Sequence, residues 1–182
     1  MKCMRLVLLV MGTLACAMAC GGPIAEPSDG AGPGDVINVT VSIAPQQYLV
    51  ERIGGDRVHV TVMVPPGADP HTYEPLPSQL RELAQADLYL GIGESFEQAW
   101  MDRFRSVNPD MLVVDTSAGI ERMPLPGAHE HDPGEPTGDD HGGAALDPHI
   151  WLSPRLVKVQ AQTIRDALVQ VDPEYRVTYD AN

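Results

Sequence analysis

The stretch VHVTVMVPPGADPHTYEP, residues 58–75, carries both the pattern that indicates the fold and a candidate ligand. Valine occupies every second position of its first seven residues, which is typical of a β-strand with one buried face. Pro65 and Pro66 then end the strand, because proline cannot donate a ladder hydrogen bond. His71 lies in the loop that follows. Loops at the carboxyl ends of strands are where α/β sheets bind ligands, so His71 is a candidate binding residue.

Strands and helices alternate on both sides of this stretch. Runs rich in β-branched and apolar residues predict four strands, at 36–43, 58–64, 88–92 and 111–115. The helices between and after them are predicted to begin at Pro45, at the caps Ser78 and Ser95, and at Ser153 or Pro154. Parallel neighbouring strands need a crossover connection, and helices supply it. The order therefore predicts an α/β fold with a mostly parallel sheet and flanking helices.

The apolar side of the first helix is predicted from its spacing. Tyr48, Leu49 and Ile53 fall on one side of the segment between Pro45 and Gly54. We therefore expect all three side chains to face the core.

The charge balance limits the partners. The 182 residues carry 25 acidic and 12 basic side chains, a formal charge of −13. This excess of negative charge argues against a nucleic-acid partner and favours a cation. The hydrophobic content of 43% is enough for a core of ordinary size. Separately, we expect the protein to be a monomer.

The N-terminal residues 1–20 have the order of a bacterial export signal. Lys2 and Arg5 precede an apolar run that ends in small residues and is too short to span a membrane comfortably. Cys20 follows Ala-Met-Ala and precedes Gly-Gly, which resembles the processing site of lipoproteins. Cys16 is an alternative, and so is simple cleavage that releases a soluble product. We expect a lipid anchor at Cys20 and a location in the periplasm or at the cell surface.

Two tracts are too rich in glycine and proline for regular structure. Residues 21–35 read as a flexible linker. The second tract, 120–147, is acidic and contains His129, His131 and His141, which are candidate auxiliary metal ligands. A solvated linker with incidental histidines is the alternative.

A second Asp-Pro-His sequence occurs in LDPHIWLSP, residues 146–154. Neutral imidazole is a common zinc ligand, but His71 and His149 are too far apart in sequence for local chelation. They can share an ion only if the sheet brings their loops together. Asp69 and Asp147 are candidates to hold the loops or to accept an imidazole N–H. Loop histidines that hydrogen-bond only to backbone remain the alternative.

Three further residues near these histidines receive weaker predictions. Glu74 is a candidate partner of a ligand, or else a surface carboxylate. Trp151 is expected to pack beneath its loop and to position His149. His59 lies on the strand face opposite the valines and is expected to be packed or exposed.

A resemblance adds to these inferences. PPGADPHTYEPLPSQLRELAQADLYLGIGESFEQAW (65–100), followed by DPHIWLSP (147–154), resembles the N-terminal lobe of the zinc and manganese substrate-binding proteins of bacterial ABC transporters. The resemblance implies two α/β lobes joined by a long helix, with an ion held between them by two residues from each lobe. Here these would be His71 and His149. It also gives the loop histidines a counterpart in the zinc-specific members.

The resemblance also implies the domain organisation. We expect the N-terminal lobe at 36–170 and the start of the interlobe helix at 171–182, with the C-terminal lobe and its ligands absent from this sequence.

The function implied is capture of Zn²⁺, with Mn²⁺ possible, and its delivery to an ABC permease in the cytoplasmic membrane, without enzymatic activity. A manganese- or iron-binding member, a secreted zinc-dependent hydrolase and a surface adhesion lipoprotein are the alternatives.

Overall fold

The computed structural model describes residues 36–124 and 146–182. The predicted export signal with Cys20 and the linker at 21–35 lie outside the described residues. So do His129, His131 and His141.

Among the described residues, four strands form one sheet. They are β1 (Ile37–Ile43), β2 (Val58–Val64), β3 (Leu88–Gly91) and β4 (Leu112–Asp115). Their order across the sheet is β2-β1-β3-β4, and every neighbouring pair is parallel. The predicted α/β fold with a parallel sheet is confirmed.

In residues 36–124 and 146–182, five α-helices connect or follow the strands. They are α1 (Ala44–Gly54), α2 (Pro77–Leu83), α3 (Ser95–Val107), α4 (Pro154–Val171) and α5 (Arg176–Ala181). Short 3-10 turns lie at Gly55–Arg57, Ile150–Leu152 and Pro173–Tyr175. None of the helices in the described parts of the chain has the length and apolar character that a membrane span requires. Whether α5 belongs to an interlobe helix stays a prediction.

Apolar residues cover both faces of the sheet, which gives two cores. The first core contains alternate residues of β1 together with residues of β3, α1, α4 and α5, among them Val39, Val41, Leu90, Val50, Ile164 and Leu168. The second core lies on the opposite face and is built largely by α2, α3 and the loops at the ends of the strands, with Met63, Leu83, Tyr89, Phe96, Phe104 and Ile150. A parallel sheet needs this cover on both faces, because its strands are apolar on both sides.

The inward side of α1 differs from the prediction. Tyr48 is 65% exposed, whereas Gln46 and Val50 are fully buried beside the expected Ile53. Gln46 tolerates burial because its side-chain oxygen accepts the backbone N–H of Ser42 and its amide donates to the carbonyl of Gly91. The amide therefore ties the end of β1 to the end of β3, where the chain connections diverge in opposite directions.

The predicted serine caps are also wrong in detail. α2 begins at Pro77, with Leu76 in the capping position and Ser78 already inside the helix. Ser95 is the first residue of α3, after Glu94. Proline suits the first turn of a helix because its φ is already helical and its missing N–H would have no partner there. The same reason explains why α4 begins at Pro154.

Candidate metal site

His71 lies in the loop between β2 and α2, at the carboxyl edge of the sheet. The loop turns at Pro65, whose carbonyl accepts the N–H of Ala68 at 3.1 Å. Further along, Oδ1 of Asp69 accepts the backbone N–H of His71 at 2.9 Å. This local bond orients the backbone of the loop and leaves the imidazole about half exposed, with 52% of the side chain accessible.

Tyr73 attaches the same loop to the second core. Its ring meets Phe96 edge to face, with centroids 6.1 Å apart, and its hydroxyl donates to Oε1 of Gln79 at 2.8 Å. The amide of Gln79 in turn donates to the carbonyl of Met63 at 2.6 Å. The loop is therefore held to β2 and to α2 on either side of His71.

A buried carboxylate faces the His71 ring. Oε2 of Glu94 lies 3.2 Å from Nδ1 of His71, and only 2% of the Glu94 side chain is accessible to solvent. Its other oxygen, Oε1, is buried and has no hydrogen-bond partner among the described residues. Ser95 adds a second link, because its hydroxyl donates to the His71 carbonyl at 3.1 Å. Glu94 and Ser95, which follow β3, therefore both contact the loop that carries His71.

The backbone next to Glu94 is fixed from both sides. The carboxylate of Glu97 accepts the N–H groups of Ile92 at 2.8 Å and Gly93 at 2.9 Å. Arg122 donates to the carbonyl of Ile92 at 2.6 Å. Burial raises the pKa of Glu97, and these two backbone bonds oppose the rise.

His149 lies just before the short turn Ile150–Leu152. Oδ1 of Asp147 accepts the His149 backbone N–H at 2.9 Å and lies 2.7 Å from its Nδ1. The hydrogen bond from the His149 backbone is the main cause that lowers the pKa of Asp147, and the bond with the His149 ring is the second. The ring of Trp151 packs against the imidazole, with centroids 5.1 Å apart. Ile150 is buried in the second core, so this loop is attached to the same core as Tyr73.

His71 and His149 therefore each lie next to one carboxylate, that of Glu94 and that of Asp147 respectively. Within residues 36–124 and 146–182 there is no group of three or more His, Cys, Asp or Glu side chains placed to hold a metal ion. When Nδ1 donates to a carboxylate, Nε2 carries the lone pair that a metal accepts. If both imidazoles bound one ion, they would supply two of the four ligands that zinc prefers.

The other predicted site residues lie in different surroundings. Asp69 contacts the backbone of His71, whereas Glu74 is exposed and forms no ion pair within the described part of the chain. His59 is exposed on β2 and lines a cleft of about 480 Å³ between β1, β2 and α2, whose lining includes neither His71 nor His149. The roles of Asp69, Glu74 and Asp147 beside a bound ion stay predictions.

Glu94 is a candidate site residue that the sequence interpretation missed. It follows Gly-Ile-Gly at the carboxyl end of β3, where the rule that identified His71 also applies. A carboxylate there was therefore detectable as a candidate. Its burial against His71 was not, because that contact depends on how two loops from different strands meet.

Known proteins resemble this chain over most of its length. Residues 39–182 match the family described as "Zinc-uptake complex component A periplasmic". The "Manganese-binding lipoprotein MntA" of Halalkalibacterium halodurans is 32% identical over 99% of this chain and 53% of that protein. The "High-affinity zinc uptake system protein ZnuA" of Bacillus subtilis is 28% identical over 90% of this chain and 51% of that protein.

Solved structures agree with these matches. A crystal structure of ZnuA superposes with a TM-score of 0.68 at 44% identity, covering 81% of this chain and 51% of that one. The chain spans about half the length of the relatives that it matches. Because the family match extends over both histidine loops and through most of the chain, this chain belongs to the ZnuA family of periplasmic zinc-uptake components.

Proposed function

We propose that this chain is the metal-binding lobe of an extracytoplasmic protein that captures Zn²⁺ and delivers it to an ABC permease. The observation that carries the proposal is the pair of Asp-Pro-His loops, in which Nδ1 of each histidine faces a carboxylate. Such a pairing leaves Nε2 of His71 and of His149 available to an ion. The proposed role is binding and release, without turnover of a substrate.

The ion is the cargo in this proposal. Zinc takes imidazole nitrogen at about 2.0–2.1 Å and prefers four ligands. His71 and His149 would supply two of them. We expect the remaining ligands from a second lobe, so that closure of the lobes completes the coordination and opening at the permease releases the ion.

Manganese is the second candidate cargo, because a relative named as manganese-binding is 32% identical to this chain. The ligand chemistry favours zinc. Imidazole suits zinc, whereas carboxylate and water oxygens suit manganese. His129, His131 and His141 would serve as auxiliary zinc ligands of lower affinity than the main site.

We further propose that Cys20 is lipidated and that the protein works as a monomer in the periplasm or at the cell surface. The relatives named as lipoproteins support the anchor. Cys20 follows a signal-like segment that ends in Ala-Met-Ala and precedes Gly-Gly, which resembles the processing site of lipoproteins. Mass spectrometry of the membrane fraction, with Cys20→Ala and Cys16→Ala compared, would test the assignment.

Metal titration tests the site. The metal-stripped chain should bind Zn²⁺ in preference to Mn²⁺ by calorimetry, and His71→Ala or His149→Ala should each weaken zinc binding at least about tenfold, since each removes a ligand. His59→Ala is the matched control, because His59 is exposed on β2 outside the two loops. The titrations are repeated with His129, His131 and His141 replaced by alanine, so that the loop histidines do not mask the loss. Unchanged zinc affinity in either single variant would refute the site.

A further inference from the structure

We propose that Glu94 is a positioning residue for metal binding: it holds the His71 imidazole with the proton on Nδ1 and turns Nε2 outward for the ion. The inference rests on the proposed function of His71 as a ligand.

The surroundings of Glu94 leave its carboxylate dependent on His71. The side chain is 2% exposed, and Oε2 faces Nδ1 of His71 at 3.2 Å, while Oε1 has no hydrogen-bond partner in the described parts of the chain. Burying a carboxylate is unfavourable unless a donor satisfies it. The imidazole N–H is the side-chain donor that the structure places against it, so the pairing favours the tautomer in which Nδ1 carries the proton.

The position of Glu94 is set by contacts within its own loop and with Arg122. Glu97 accepts the two N–H groups that precede Glu94, and Arg122 donates to the carbonyl of Ile92. Gly93 has a φ of +77°, and a Cβ added there would lie 2.5 Å from Nη2 of Arg122. This positive φ favours glycine, and an added Cβ would also have to displace the end of the Arg122 side chain. The carboxylate is therefore presented by a rigid loop, as a positioning group must be.

His71 needs a partner from another loop because its own aspartate is already engaged. Oδ1 of Asp69 accepts the backbone N–H of His71, and the structure shows no bond from Asp69 to the ring among the described residues. In contrast, Oδ1 of Asp147 contacts both the backbone and the ring of His149. The carboxylate nearest the His71 ring is that of Glu94, whose Oε2 lies 3.2 Å from Nδ1, whereas Oδ1 of Asp147 lies 2.7 Å from Nδ1 of His149.

The tautomer can be measured without metal. Long-range ¹H–¹⁵N NMR on the full metal-free chain distinguishes which ring nitrogen carries the proton. The spectra are recorded about 2 pH units above the ordinary histidine pKa of ~6.5, so that the ring is neutral. In the wild-type chain we expect His71 to carry its proton mainly on Nδ1. This NMR measurement uses the wild-type chain alone. A His71 ring protonated mainly on Nε2 would overturn the inference.

The matched variant is Glu94→Gln. The amide has nearly the same size but presents both a donor and an acceptor, so it no longer selects one tautomer. We expect His71 to lose its preference for Nδ1–H while His149, paired with Asp147 in the same sample, keeps its own. Zinc affinity should fall about 10- to 100-fold, as is usual when the partner of a metal-bound histidine is removed. Glu82→Gln, at an exposed position of α2, should change neither quantity.

The outcomes separate the two proposals. If His71→Ala weakens zinc binding and Glu94→Gln behaves like Glu82→Gln in both measurements, the role of Glu94 is wrong and the metal site stands. If His71→Ala itself leaves zinc affinity unchanged, His71 is not a ligand and both proposals fail. Loss of the Nδ1–H tautomer together with weaker zinc binding in Glu94→Gln supports the inference.

Discussion

The two Asp-Pro-His loops have the same local geometry but different partners for their rings. In both, the aspartate two residues before the histidine accepts its backbone N–H at 2.9 Å. The His149 ring is then bonded by the same aspartate, Asp147, which is partly exposed. The His71 ring instead meets Glu94, a buried residue on another loop. One half of the proposed site is therefore locally encoded, and the other half depends on the packing of the sheet.

The largest expected effect comes from removing the support that both loops share. Phe96 is 2% exposed, meets Tyr73 of the first loop edge to face and belongs to the same core as Ile150 of the second loop. Phe96→Ala should lower the free energy of unfolding by about 3–5 kcal/mol, because it removes a buried ring and leaves a cavity.

Urea denaturation measures this loss, and Gln98→Ala at an exposed position of the same helix is the control. A loss no larger than that of the control would show that the loops do not depend on this core.

Next in size is a test of the aspartates themselves. Asp147→Ala removes the partner of both the His149 backbone and its ring, so zinc affinity should fall about 10- to 100-fold. Asp69→Ala removes a backbone bond alone and should have a clearly smaller effect. Calorimetric titration of the two variants side by side measures the difference. Equal losses of zinc affinity in the two variants would mean that the contact of Asp147 with the His149 ring contributes nothing beyond the backbone bond.

A smaller effect is expected at the turn that presents Glu94. Gly93→Ala forces a side chain into the left-handed region and against Arg122, and it should lower the free energy of unfolding by roughly 1–2 kcal/mol. Zinc affinity should fall as well, because the carboxylate opposite His71 is displaced. Gly119→Ala is the matched control, since Gly119 also has a φ of +77° but no atom within 4 Å of an added Cβ.

Both variants should lose stability from backbone strain, and Gly93→Ala alone should lose zinc affinity. Thermal unfolding and titration together separate the two effects. Retained affinity in Gly93→Ala would contradict a rigid presentation of Glu94.

The smallest effect concerns pH and Glu97. Its pKa is raised in the folded chain, first by burial and further by the charge of Asp115, so the folded state binds this proton more tightly than the unfolded state does. Its contribution to stability is therefore fully present below the ordinary carboxyl pKa and is lost as pH rises through the raised value. Relative to Glu97→Gln, the wild-type chain should become less stable as pH increases across that window.

Thermal unfolding at a series of pH values measures this difference. Glu82→Gln, which removes an exposed carboxylate, should follow the wild-type curve. If the difference in stability between the wild-type chain and Glu97→Gln stayed constant with pH, the raised pKa of Glu97 would be contradicted.

The fold was largely predictable because its signals are local. The alternating valines of β2, the β-branched run of β1 and the prolines near the helix starts specify elements through their own backbone preferences. The inward side of α1 was not predictable in the same way. Tyr48 has the right spacing but is exposed, while Gln46 is buried because carbonyls at the end of a different strand accept its amide.

The same division holds for the candidate site. The sequence by itself determined the parallel α/β sheet, the two histidine loops and the aspartate beside each histidine, because each follows from residues close together in the chain. Only the tertiary structure decided that Asp147 reaches the His149 ring while Asp69 stays with the backbone, and that Glu94 is buried against His71. The physical reason is that desolvation and hydrogen-bond satisfaction depend on which loops meet at the edge of the sheet, and no local pattern contains that information.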